Sequence, residues 1–218
     1  MAADAAAAVA PYTQFFRRES AAVLAELEVY RNELTRWQRV QNLVSRETLA
    51  DIWVRHIADS LQLLRYLRPA DQRLVDLGSG GGLPAIPLAI ALKGSGASFR
   101  LVEPNGRKVS FLRNIARTLA LPVEVLAARA DEIDSRETLP SADVITSRAL
   151  ASLPDLLGLS MPFFGPNTRA LFHKGREFRE EMMESHRRWR YDVVVLPSDT
   201  SADGVVLEIQ NLHAEPAA

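Results

Sequence analysis

Val75-Asp76-Leu77-Gly78-Ser79-Gly80-Gly81-Gly82-Leu83-Pro84 sets an acidic side chain two residues ahead of three alternating glycines. Without β-carbons at Gly78, Gly80 and Gly82 the backbone can turn tightly and come close to a ligand. A dinucleotide loop needs Gly-x-Gly-x-x-Gly, its third glycine packing helix against strand. Leu83 fills that slot, so the match fails. Some 27 residues beyond Asp76, Glu103 ends a short apolar run, where a carboxylate can accept both hydroxyls of a ribose. Further on, Arg129-Ala130-Asp131-Glu132 offers an acidic side chain and a backbone N–H, the pair that reads the edge of an adenine. Each group also has a plainer reading. Asp76 could cap a helix or loop, Glu103 could be a solvated strand end, and Asp131 could cap a short following helix.

These groups need a frame. Before Pro69 the apolar residues recur at three- and four-residue steps, as on one helix face. Val23, Leu24, Leu27, Tyr30, Leu34 and Trp37 predict a helix over 13–39. Leu49, Ile52, Trp53, Ile57, Leu61 and Leu64 predict a second one, with Thr48 and Asp51 as a capping-box-like start. After Pro69 short apolar runs alternate with helical stretches. Strands are expected at 73–76, 99–103, 123–127, 143–146, 168–173, 192–196 and 205–211, with helices up to Leu92, over 107–119 and over 177–189. Alternation of this kind implies a mostly parallel sheet covered on both faces. No helical stretch separates the last two strands, which are expected to be antiparallel neighbours. The glycine loop then falls at the carboxyl edge of the first strand, where open α/β sheets bind ligands. The expected organisation is a frayed tail over 1–12, a helical extension over 13–69, a Rossmann-like domain over 70–213 and a short tail over 214–218.

Composition removes several classes of chemistry. The chain has 218 residues and no Cys, so disulfides, thiolate metal sites and a Cys nucleophile are out. The four histidines are scattered without metal-ligand spacing, and no metal site is expected. No apolar run approaches the ~20 residues that span a bilayer, and the start lacks a basic leader, so the expectation is a cytoplasmic protein without membrane contact. With 26 Lys and Arg against 27 Asp and Glu, the chain cannot hold nucleic acid by bulk charge. Any RNA contact must come from a local patch.

The acidic-x-Gly-x-Gly-x-Gly loop resembles that of class I S-adenosylmethionine-dependent methyltransferases, which have no pyrophosphate to seat. The methionine end of the cofactor would lie against the glycines, its amino group held by Asp76 directly or through water. Absences narrow the acceptor. Methylation at carbon five of a pyrimidine commonly uses a Cys, and exocyclic amines commonly use an Asn/Asp-Pro-Pro-aromatic motif; here Ile145-Thr146-Ser147-Arg148-Ala149-Leu150 stands in that place. An acceptor with a free lone pair, such as a ring nitrogen, needs no general base, and alignment can supply up to ~7–11 kcal/mol of the barrier.

The order and spacing of further motifs resemble the RsmG (GidB) family over roughly residues 25 to 212. They are Trp37 to Leu43, Arg55-His56-Ile57-Ala58-Asp59-Ser60-Leu61, the glycine loop with its Gly-Leu-Pro ending, Arg107 to Arg113, Ser147-Arg148-Ala149 and Lys174-Gly175. The resemblance implies methylation of guanine N7 in the decoding-region loop of 16S ribosomal RNA, either free or in the small ribosomal subunit; nothing in the sequence specifies an oligomeric state, and a monomer is the default expectation. It also implies cofactor contacts at Gly78, Leu83, Ala130, Asp131 and Arg148. In two places the chain departs from the family pattern. Gly81 stands where relatives often have Pro or Ala, which should loosen the loop, and Pro104 follows Glu103 where relatives often have Ser, which removes a backbone donor.

Candidates for gripping phosphates or guanine O6 are Arg36, Arg39, Arg46, Arg55, Arg148, Lys174 and Arg176. His56, Asp59 and Ser60 sit side by side on one helix face, a poor arrangement for a nucleophilic relay. They read either as lining of the acceptor pocket or as a polar cluster locking the extension to the main domain. Trp37 and Trp53 read as core, and Arg187-Arg188-Trp189-Arg190 as a solvated helix end. Two competing readings remain: a methyltransferase acting on a small molecule or protein, and a nucleotide-binding module without catalysis.

Overall fold

The computed structural model describes residues 2–133 and 142–215. Seven strands form one sheet in the order β3-β2-β1-β4-β5-β7-β6. They are β1 Arg73–Leu77, β2 Ser98–Val102, β3 Val123–Leu126, β4 Val144–Arg148, β5 Arg169–Lys174, β6 Trp189–Pro197 and β7 Val205–Ala214. The first five run parallel to one another, and β7 runs antiparallel between β5 and β6, as the missing crossover helix predicted.

Because side chains alternate across a strand, the central strands feed two cores. Leu74, Phe99, Leu101, Val144 and Leu171 pack on one side. There they meet α2 (Ser20–Gln38), α4 (Ala85–Ala91) and α5 (Gly106–Thr118). Val75, Leu77, Val102, Ile145 and Phe172 pack on the other. That face is covered by α6 (Leu153–Ser160) and α7 (Phe178–Ser185). The pleat therefore sends Asp76 to the face of Leu74, toward the helical extension. Arg169 opens β5 fully buried between Asp71 at 2.5 Å and Glu208 at 2.9 Å, tying the end of the extension to β7.

The extension differs from the expectation in three places. Residues expected to be a frayed tail form α1 (Ala2–Val9) and a 3-10 turn, Ala10–Phe15, with Val9 and Tyr12 buried in the first core. The segment is anchored rather than frayed because Ala5 and Val9 are buried and the Tyr12 ring fills the core while its hydroxyl donates to Asp199 at 3.1 Å. The helix expected over 13–39 is interrupted, since α2 begins only at Ser20. Beyond it, 53–65 is irregular: a π segment Trp53–Ala58, an α turn α3 (Asp59–Leu61) and a 3-10 turn Gln62–Arg65. Thr48 does not cap this run. Its hydroxyl meets the Ser45 carbonyl and the His56 ring instead.

In the main domain, α6 was not read from the sequence, and β6 begins at Trp189, where a helix end was expected. The Trp189 indole donates to the Pro154 carbonyl at 2.8 Å, which anchors the strand over α6. Trp37 packs as expected, edge-on to Phe111 at 5.7 Å, and Trp53 borders the same core.

Candidate functional site

The register of β1 with β4 pairs Asp76 with Thr146. Both side chains lie on the same face, and the Thr146 hydroxyl donates to Asp76 Oδ1 at 2.7 Å. The other oxygen, Oδ2, is buried without a partner. Burial pushes the Asp76 carboxyl up to about 7, against the opposing pull of Thr146, Ser79 and Arg148. A buried carboxylate with one vacant oxygen is a seat for a cation, such as a ligand ammonium group.

Above it the glycine loop turns through the left-handed region. Gly78 has φ +68°, and a β-carbon there would come within 2.5 Å of Leu150. Gly82 has φ +84°, and its β-carbon would lie 2.4 Å from Ile86. The loop is held at its base by Gly78 N–H, which donates to the Val102 carbonyl at 2.9 Å, and at its crown by the extension. Tyr30 donates its hydroxyl to the Gly81 carbonyl at 2.7 Å, and a β-carbon at Gly81 would stand 3.1 Å from Leu34 and 3.3 Å from the Leu43 carbonyl. Gly81 was expected to loosen the loop. It instead lets the extension close down on it, because any side chain at that place would press on α2 and the segment after it.

Glu103 follows β2 and is buried. Its Oε2 accepts from Gly80 N–H at 2.8 Å and its Oε1 from Asn105 N–H at 2.9 Å. Pro104 does remove a donor, but the next amide supplies one. A carboxylate has about four acceptor sites, so two remain for ribose hydroxyls. Ala130 is buried in a 3-10 turn, while Asp131 beside it is bound by the Arg129 guanidinium at 3.0 and 3.1 Å, which holds its carboxyl below the usual range.

Arg148, at the end of β4, is the hub of the opposite wall. It donates to Asp59 Oδ2 at 2.9 Å, to the Arg55 carbonyl at 2.9 Å and to His56 Nδ1 at 2.6 Å. A guanidinium only donates, so His56 Nδ1 must accept and Nε2–H must face Thr48, 2.7 Å away. Burial first, and Arg148 second, push the His56 imidazole down to about 4, so it is neutral near pH 7. Burial alone would raise Asp59, but His173, Arg148 and the Thr200 hydroxyl outweigh it and hold the carboxyl below its usual value. Ser60 turns its hydroxyl to the His56 carbonyl at 2.6 Å and is fully buried. His56 and Asp59 thus both line the pocket and lock the extension to the sheet, whereas the Ser60 hydroxyl bonds within its own segment and does not line the pocket. No nucleophilic relay exists among the three.

Between these walls opens a cleft of about 1200 Å³, lined by Gly78, Gly80, Leu83, His56, Asp59 and Arg148 among others. Asp76, Gly82, Glu103, Ala130 and Asp131 are not among the residues that line it. The basic candidates separate by their partners. Arg46 and Arg55 line the cleft without an acidic partner among the described residues. Arg148 and Lys174 line it too, but Arg148 is spent on Asp59 and Lys174 is bound to Glu181 at 2.5 Å. Neither is a free cation for a phosphate. Arg36 pairs with Glu33 and Arg176 with Asp203, both outside the cleft. Arg39 lines a second groove. Among the described residues no group of His, Asp and Glu could hold a metal ion, and no helix is long and apolar enough to cross a membrane.

Sequence reasoning missed Tyr30, Thr146, Leu150 and Thr200. Tyr30 was assigned to a helix face and Thr146 to a strand, and nothing local marks either as a partner of the loop. The register of β1 against β4 and the docking of α2 create those contacts.

The model of the family described as rRNA small subunit methyltransferase G (GidB) matches residues 23–204. A ribosomal RNA small subunit methyltransferase G from Chelativorans sp. (strain BNC1) is 40% identical over 188 residues, 86% of this chain and 88% of the relative. One from Brucella ovis is 43% identical over 179 residues, 82% and 83% of the two chains. Among solved structures, a putative O-methyltransferase from Klebsiella pneumoniae superposes with a TM-score of 0.58 at 16% identity, covering 85% and 90% of the two chains. Aeropyrum pernix fibrillarin with natively bound S-adenosyl-L-methionine gives 0.54 at 14% identity, covering 70% and 73%. At such identity these two likenesses speak for the fold alone.

Proposed function

The chain belongs to the GidB family, the rRNA small subunit methyltransferase G proteins, and we propose that it methylates N7 of a guanine in the decoding-region loop of 16S ribosomal RNA. It acts as a cytoplasmic monomer on the RNA or the small ribosomal subunit. The observation that carries this reading is the cleft itself: the glycine loop forms one wall, and the cations Arg46 and Arg55 stand free on the rim.

S-adenosylmethionine supplies, when bound, an electrophilic methyl group on a cationic sulfur. The vacant Oδ2 of Asp76 suits its amino group, the glycine loop and Leu83 its methionine chain, Glu103 its ribose, and Ala130 with Asp131 its adenine. Arg148 borders the same space and, through Asp59 and His56, fixes the far wall. Guanine N7 carries a lone pair and no proton, so none of these residues has to remove one. That agrees with the state of the titrating groups on the wall: His56 is neutral and doubly bonded, and Asp59 and Lys174 are ion-paired. The chain's contribution is alignment and exclusion of water.

The direct test is to map N7-methylguanine in small-subunit RNA from cells with and without this gene, by chemical cleavage at the modified base. Loss of one mark in the decoding-region loop is expected, restored by the wild type and not by Asp76→Ala. An unchanged map would overturn the RNA reading.

A further inference from the structure

A second groove, of about 530 Å³, runs between the C-terminal end of α2 and the start of α5. It is lined by Arg39, Gln41, Asn42, Arg46, Arg107 and Lys108, with Gln38, Val40 and Asn105, and no carboxylate faces it. Asn42, Arg46 and Lys108 line the main cleft as well, so the groove and the cleft are one continuous surface.

Charge in this groove is left unneutralised, and four cations are gathered there, whereas many of the cations elsewhere are paired. Arg18, Arg36, Arg73, Arg100, Arg129 and Arg190 each lie within ion-pair distance of a carboxylate. Among the described residues no ion pair joins Arg39, Arg46, Arg107 or Lys108 to any acidic group. In a chain of net charge −1, four free cations in one groove are a concentration of positive potential. The groove also holds a donor in want of an acceptor: Gln41 Nε2 is buried with no partner in the protein. On the α5 side, the Asn105 side chain caps Arg107 N–H and Lys108 N–H at 3.0 and 3.3 Å, which fixes the backbone from which both cations project.

Resting on the RNA reading above, we propose that this groove binds the phosphodiester backbone of the substrate RNA as it leaves the cleft, with Arg39, Arg46, Arg107 and Lys108 on successive phosphates. Its chemistry is that of phosphate contact: point charges and amide donors, with no aromatic face to stack a base and little apolar surface. It therefore sets register and affinity, while the cleft selects the base. This gives Arg107 and Lys108 a role in substrate binding, and it moves the phosphate grip away from Arg148 and Lys174, whose charges are already matched.

The test uses the full chain carrying R39A together with R107A, and a protein-free RNA hairpin containing the decoding-region loop. Binding is measured across a series of salt concentrations, with cofactor binding and thermal unfolding as controls for the fold. Both side chains are exposed, so the fold and cofactor affinity should persist. The double variant should bind the hairpin at least about tenfold more weakly. Its log–log salt slope should be shallower by about 1.4, at ~0.7 per single-strand phosphate contact. Arg187→Ala, which removes an exposed charge outside the groove, should change neither. Wild-type affinity and slope in the double variant would overturn the groove while leaving the RNA reading intact. Loss of activity on the assembled subunit alone, with hairpin affinity unchanged, would overturn it in favour of a protein contact. A wild-type enzyme that methylates neither this hairpin nor the assembled subunit would sink the functional reading, and the groove with it.

Discussion

Tyr30 and Gly81 are 51 residues apart, yet the Tyr30 hydroxyl donates to the Gly81 carbonyl at 2.7 Å in a fully buried contact. The N-terminal extension is therefore part of the ligand loop's support. Burial pushes the Tyr30 phenol far above its usual value, so it stays a protonated donor at any working pH. Tyr30→Phe keeps the ring packed against Phe111 and leaves the Gly81 carbonyl without its donor. A cost of about 1–2 kcal/mol in unfolding free energy is expected, together with weaker binding of S-adenosylmethionine. Chemical denaturation and calorimetric titration check the two effects separately. Unchanged cofactor affinity would show that the extension does not support the loop.

Asp76 carries a pH signature. Its carboxyl is pushed up to about 7 by burial, far above the value of an unfolded chain. The sign for the ligand-free protein follows: stability should fall as pH rises from about 4 to about 7, because the unfolded carboxyl ionises first. The sign for binding is opposite, since a ligand ammonium favours the ionised form. Cofactor affinity should weaken about tenfold for each unit of pH below about 7 in the wild type, and be flat in Asp76→Asn. Titration over that range decides it; parallel profiles for the two proteins would remove Asp76 from the amino-group site.

The glycines of the loop should not be equivalent. An alanine at Gly80 would meet only the Gly78 carbonyl at 3.8 Å, so its cost is that of a left-handed backbone, about 1–2 kcal/mol. At Gly82 the new methyl would overlap Ile86 at 2.4 Å and press on Leu112 at 3.1 Å, both fully buried. Overpacking adds about 1–3 kcal/mol there. Denaturation midpoints should rank Gly82→Ala well below Gly80→Ala, and equal midpoints would contradict the packing described here.

Asp59 accepts from Gln62, Arg148 and Thr200, joining the irregular helix over 53–65 to β4 and to the loop between β6 and β7. Asp59→Ala leaves the mostly buried Arg148 guanidinium without a carboxylate, at an expected cost of about 3 kcal/mol. Because the Asp59 carboxyl is depressed in the folded protein, its contribution is present above about pH 4 and lost as pH falls through the folded value. Wild type should thus lose stability on acidification through that window and Asp59→Ala should lose less. Methylation should fall in the variant as well, since the wall facing the glycine loop is released.

The sequence by itself determined the fold class, the seven strands in outline and the ligand loop. Those signals are local: apolar runs of strand length, helical spacing along α5, and three glycines beside an acidic residue. Other features depended on partners distant in the chain. The alanines of α1 look like a tail until Val9 and Tyr12 meet the core, and Trp189 looks like a helix end until its indole finds Pro154. At the site, the types and order of Asp76, Glu103 and Arg148 were legible, but their states were not. Arg148 and Lys174 read as free cations in sequence because charge pairing leaves no local trace; only the approach of Asp59 and Glu181 neutralises them. For the same reason Arg107 and Lys108 read as an ordinary helix start. Tertiary structure decided that they face Arg39 and Arg46 across a groove with no acid in it, because free charge depends on every neighbour the fold brings near.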